Sequence, residues 1–195
     1  MTLLKYPIGN CRQVKVLAVE VGEDRVSVRA EDRRGLLAAV AGCLSLHRLD
    51  VVTADTATTD GTARMTCAIQ ARFGGDADRE ALAADLRRAV KGELPIAERL
   101  AARERSQRRR TESAPPRIVW QPATGATVLE LRATDSPGLL FRVAHALESL
   151  GADVRSARIS TLGGDVVDAF YLEGDWPLPA RAEVEAAVLS VANGH

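Results

Sequence analysis

Cysteine is scarce in this 195-residue chain: there are three, Cys11, Cys43 and Cys67, an odd number without metal-ligand spacing. Two of them sit in apolar segments, so they read as reduced, buried side chains of a cytoplasmic protein, which excludes a disulfide framework and a zinc site. Histidine is equally sparse, and His47 and His145 lie on helical stretches with no second ligand four residues on. No His-Asp dipeptide occurs, and Asp76-Ala77-Asp78 follows two glycines and opens a helix, so it reads as a cap and not as a polymerase-type metal site. No Ser-His-Asp or Cys-His set has local support, so the chain is not an enzyme as it stands and calls for no cofactor or metal. Net charge is zero, from 26 basic and 26 acidic residues, which removes any general attraction to nucleic acid or membrane. No apolar run approaches the roughly 18 residues of a membrane span. The start Met1-Thr2-Leu3-Leu4-Lys5 is not a signal peptide. Aromatic residues are few, and Trp120 and Trp176 read as packing or rim residues.

What the chain does have is a repeat. Asp32-Arg33-Arg34-Gly35-Leu36-Leu37 recurs as Asp135-Ser136-Pro137-Gly138-Leu139-Leu140, 103 residues on. Each copy follows an alternating strand (Val26, Val28, Ala30; Leu129, Leu131, Ala133) and precedes an apolar helix. Aspartate at a helix start can accept from the unpaired first-turn N–H groups, and glycine permits a tight turn or a close approach. The junction reads either as a plain helix cap or as a cradle of backbone donors for an anion such as an amino-acid carboxylate. Two copies in register favour the cradle.

The patterning divides the chain into a lead-in (1–13), a first unit (14–92), a polar and basic helix with linker (93–116) and a second unit (117–195). Strands are expected over Val14 to Val21, Arg25 to Ala30, Val51 to Thr58 and Thr62 to Phe73, with Asp60-Gly61 as a hairpin turn. The Gly74-Gly75-Asp76 break precedes a helix capped by Asp76 or Asp78. The Arg108-Arg109-Arg110 run, interspersed with glutamates, reads as solvated linker. Arg117 to Trp120 is a short strand, and Thr127 to Ala133, the helix closed by Gly151, Val154 to Thr161, Val166 to Glu173 around Gly163-Gly164, and the helix Pro179 to Leu189 repeat the first pattern. The fold class is α+β, two ferredoxin-like βαββαβ units in tandem. The strand 117–120 is expected to complete the first sheet and Val14 to Val21 the second, an exchange between units.

With these junctions, the βαββα order and the tandem arrangement, the chain resembles a pair of ACT domains, small amino-acid-sensing modules. More narrowly it is similar to the C-terminal ACT pair of the PII uridylyltransferase/uridylyl-removing family, on Glu31 to Val40, Thr134 to Val143, Ala157-Arg158-Ile159-Ser160-Thr161 and Val167-Asp168-Ala169-Phe170-Tyr171. The first unit departs from the family pattern, with Arg34 in place of proline and Met65-Thr66-Cys67 opposite Asp168-Ala169-Phe170. The resemblance implies a sensor of a small amino acid, glutamine by preference, that regulates nucleotidylation and denucleotidylation of the PII nitrogen-signalling protein through catalytic domains of a parent enzyme. It implies a ligand carboxylate at Gly138, Leu139 and Leu140 beside Ser136, and an ammonium at Asp135. Thr53, Ala54 and Asp55 would complete that site. Ser156, Ala157 and Arg158 would complete a second one at Asp32, Gly35, Leu36 and Leu37. The competing readings are a stand-alone ACT-repeat sensor of another amino acid and a dimerising module with an empty pocket, since four-stranded sheets with exposed edges pair side by side. Only a sensor predicts stabilisation by a ligand.

Overall fold

The computed structural model describes residues 15–72, 78–106, 114–162 and 164–193. The lead-in with Cys11, the strand end at Phe73, the Gly74-Gly75-Asp76 break, the Arg108-Arg109-Arg110 run and Gly163 lie outside the described residues.

The first unit runs β1 (Val16–Val21), β2 (Arg25–Glu31), α1 (Leu36–Leu46), β3 (Leu49–Thr59), β4 (Thr62–Ala71) and α2 (Arg79–Lys91), followed by α3 (Ile96–Ser106). The second runs β5 (Arg117–Ala123), β6 (Ala126–Thr134), α4 (Leu139–Ser149), β7 (Val154–Arg158), β8 (Thr161–Leu162), β9 (Asp165–Glu173) and α5 (Leu178–Ala192). The first sheet has the order β1-β2-β4-β3 and the second β5-β6-β9-β7, with the two-residue β8 also on β9. Every pairing is antiparallel. These are the sheet positions of a ferredoxin-like βαββαβ unit whose last edge strand has moved to the front. The fold is therefore α+β with two such units. None of the described helices is long and apolar enough to cross a membrane.

That front position corrects the expected exchange. Val16 to Val21 pairs with β2 of its own unit, Val19 opposite Val28 and Val21 opposite Val26. Arg117 to Ala123 pairs with β6, Trp120 opposite Leu129. The reason is loop length: Gly22 to Asp24 and Thr124-Gly125 are short turns, and closing a short loop costs far less entropy than carrying a strand across the molecule. The strand β5 runs on through Pro122, which an edge strand tolerates. Asp60 and Gly61 both have positive φ, +50° and +70°, as the two-residue turn between β3 and β4 requires.

In β2 the inward residues Val26, Val28 and Ala30 are buried, and in β9 Val166, Asp168, Phe170 and Leu172 occupy the same phase. Most of the described buried apolar side chains of both units form one continuous core. The segment after α2 is more than a solvated linker, because Leu94, Ile96 and Leu100 are buried and α3 packs on α1. Arg103 anchors it by donating to the Leu46 carbonyl at the end of α1.

Gly42 sits where α1, α3 and α4 meet. A Cβ there would run into the Ile96 Cγ2 methyl and stand 2.7 Å from the Phe141 ring. Gly42→Val is therefore expected to lower unfolding stability by about 1–3 kcal/mol through overpacking. Denaturant unfolding checks it, and a midpoint equal to that of the parent chain would refute the close approach.

Candidate functional site

The two units meet edge to edge. β3 lies beside β7, Thr56 Oγ1 donates to the Arg155 carbonyl across the seam, and α1 packs against α4. At the end of the seam, the start of β3 and the end of β4 face the junction between β6 and α4. A cleft of about 50 Å³ opens there. A water needs roughly 10–15 Å³, so the cleft admits a group of a few heavy atoms, the size of an amino-acid head group.

Asp135, Ser136, Gly138, Leu139 and Leu140 all line this cleft. Asp135 does not cap α4; the helix has Gly138 as N-cap and no side-chain cap bond. Gly138 adopts φ +75°, the left-handed conformation that glycine takes without strain. A side chain at 138 would approach Ser45 Oγ, Leu100 Cδ1 and Arg142 Nη1. The Leu139 N–H is bonded to the Ser136 carbonyl at 3.0 Å, so the cradle is narrower than the bare motif implies. Arg142 donates from Nη2 to Ser136 Oγ and from Nη1 to the Pro137 carbonyl, both at 2.8 Å, which places a guanidinium at the junction.

The other unit contributes charge that sequence reasoning missed. Arg72 donates to Asp50 through two nitrogens, at 2.7 and 3.0 Å, and reaches across to Asp135 Oδ2 at 3.2 Å. Burial raises the Asp135 carboxyl above its ordinary range against the pull of Arg72, and Asp50 raises it further. Asp168 forms part of the same wall. Its residue is 1% exposed, its Oδ1 has no hydrogen-bond partner, and burial followed by the charge of Asp135 pushes it up to about 7 despite an N–H donated by Ser160. The signal for Asp168 was present in the sequence, as a carboxylate in the apolar phase of an alternating strand. Asp50 and Arg72 carried no such signal, because they meet Asp135 only through the tertiary contact.

Thr53 and Asp55 do not reach the cleft, and neither do Ser156 and Arg158. Ala54 and Ala157 turn into the core, so their neighbours point to the opposite face of the sheet, where Thr53, Asp55 and Arg158 are exposed. Leu49, Asp50 and Val51, at the start of β3, take the place expected for Thr53 to Asp55.

The first junction is arranged differently. Leu36 and Leu37 are buried in the core, Asp32 is exposed, and α1 also lacks a side-chain cap bond. Gly35, at φ +81°, faces the Glu148 carboxylate, which fills the space a side chain there would need. Glu148 stands 103 residues after Ser45, the smaller residue that faces Gly138. At the same spacing Arg72 is matched by Asp175 and Asp168 by Met65, so the first junction has no counterpart of either residue.

Two ferredoxin-like units in tandem, with a cleft where the strand-to-helix junction of one meets the sheet edge of the other, have the fold and order expected from the resemblance to a pair of ACT domains. No family model matches the chain. Over 86% of its length it is 45% identical to 21% of the bifunctional uridylyltransferase/uridylyl-removing enzyme of Streptomyces coelicolor. The enzyme of that name from Rhodospirillum rubrum is 32% identical over 80% of the chain and 18% of its own length. The chain is thus homologous to one segment of the bifunctional uridylyltransferase/uridylyl-removing enzymes, and it spans about a fifth of the length of the relatives it matches. A solved regulatory subunit of aspartate kinase from Thermus thermophilus covers 91% of this chain and 98% of its own, at 13% identity and a TM-score of 0.25. That overlap is loose, and the fold rests on strand order.

Proposed function

We propose that this chain is a regulatory amino-acid sensor, that its effector is glutamine, and that it governs nucleotidylation and denucleotidylation of a PII signalling protein by catalytic domains of a parent enzyme. The observation that carries the reading is the cleft at the seam. It combines the N-terminal end of α4, suited to a carboxylate, with the acidic groups Asp135 and Asp50 held around Arg72, suited to an ammonium beside them. The homologous segment in enzymes named for adding and removing uridylyl groups supports the link to that reaction. Because both units line the cleft, a ligand that binds one arrangement of the units better than another shifts their equilibrium, with a coupling of typically 1–3 kcal/mol.

The test is a thermal-shift screen of the chain against the twenty amino acids, repeated on Asp135→Ala and Gly138→Val. Glutamine at one hundred times its dissociation constant is expected to stabilise by about 2.7 kcal/mol, a rise of roughly 5–10 °C for a chain of this size, and to lose that effect in both variants. A flat response to every amino acid would overturn the sensor reading and favour a dimerising module.

A further inference from the structure

We infer that the buried carboxyl of Asp168 is the acceptor for the ligand's protonated amino group, and that this residue, more than Asp135, selects an amino acid over the corresponding plain carboxylic acid. The inference rests on the amino-acid reading of the cleft and deepens it.

Asp50 accepts two bonds from Arg72, and Asp135 accepts a third from the same guanidinium. Asp168 is bonded to no cation among the described residues. The Ser160 N–H reaches it, yet Oδ1 is left without a partner in a residue that is 1% exposed. A buried polar atom without a hydrogen bond is costly, and in native structures it calls for a cause. A ligand that donates to it is such a cause, because Asp168 lines the cleft together with Gly138 and Asp135. The charge balance agrees. Asp50, Asp135 and Asp168 face the cleft against Arg72, with Arg142 held at the junction by Ser136 and Pro137. A zwitterion fits that arrangement, its carboxylate towards the end of α4 and Arg142, its ammonium towards the free acid.

The ionisable groups that line the cleft with Asp168 are Asp135 at the β6–α4 junction, Asp50 on β3 and Arg72 just after β4, and the Ser160 N–H after β7 bonds to it. Ile159, Thr161 and Val166 supply the non-ionisable part of the wall. With its acid titrating near 7, Asp168 is largely protonated at pH 6 and ionised at pH 8. An ammonium needs the ionised form, so binding below neutrality must release the proton. Affinity is then expected to rise about tenfold from pH 6 to pH 8 and to level off above.

The experiment is isothermal titration of the chain with L-glutamine and with glutaramate, which is glutamine without its α-amino group. It is run at pH 6 and pH 8 in two buffers of different ionisation enthalpy, on the parent chain and on Asp168→Asn, a change that keeps the side-chain volume. The parent chain is expected to bind glutamine about tenfold more tightly at pH 8, to release close to one proton at pH 6, and to bind glutaramate at least tenfold more weakly than glutamine at pH 8. Asp168→Asn is expected to lose the pH dependence, the proton release and the preference for glutamine over glutaramate. Glutamine affinity and proton release in Asp168→Asn equal to those of the parent chain would overturn the inference and leave the amino-acid cleft standing. No heat from glutamine with the parent chain at either pH would overturn the glutamine reading and this inference together.

Discussion

Asp168→Asn is expected to stabilise the ligand-free chain at pH 8 by on the order of 4 kcal/mol and to change it little near pH 4. The carboxyl is held at about 7 in the folded chain, against an ordinary value of 3.8. Between those values the folded state binds the proton and the unfolded state does not. Stability contributed by this group is therefore full below about pH 4, falls as pH rises towards 7, and stays low above. Asparagine never ionises, so its advantage over aspartate grows across the same window. Urea unfolding of both chains at pH 4.5 and pH 8 measures the difference. Parallel stability curves would show that Asp168 is solvated and ionised in the folded state, against its burial. A side chain that costs this much when the cleft is empty is better suited to binding than to folding.

Phe170→Ala carries an effect of similar size by a different route. Phe170 is fully buried at the centre of β9, with Leu129 and Ala157 as its partners on the flanking strands. Removing the ring forfeits its burial and leaves a cavity in a close-packed core, a loss of about 3–5 kcal/mol. The same strand face presents Val166 and Asp168 to the cleft, so the thermal shift with glutamine should weaken as well. A loss in urea below about 1 kcal/mol would mean that the core collapses around the gap and that the second unit is not packed as described.

The junctions and the alternation of β2, β6 and β9 were legible because a helix and a half-buried strand write their periods into consecutive residues. Five of the residues assigned to the second junction do line one cleft, since a strand-to-helix turn keeps near neighbours in sequence near in space. The residues expected across the seam lie outside this cleft for a reason of phase and register. Thr53 and Asp55 are one residue out of phase with Ala54, and β3 begins at Leu49, which brings Asp50 to the cleft instead. Strand exchange was a matter of which edge the front strand takes, and short turns decided that locally.

By itself the sequence determined two copies of one α+β unit and the place of each strand-to-helix junction, because both depend on local spacing. The departures of the first copy stand in the sequence, but only the tertiary structure decided what faces each junction. Ser45 and Glu148 are equivalent positions, but packing α1 against α4 sets the small one at Gly138 and the carboxylate at Gly35. Docking β3 beside β7 brings Arg72 to Asp135 and leaves Asp168 Oδ1 without a partner in the same wall. Contacts between side chains far apart in sequence have no period to betray them, and here they separate the open cleft from the filled one.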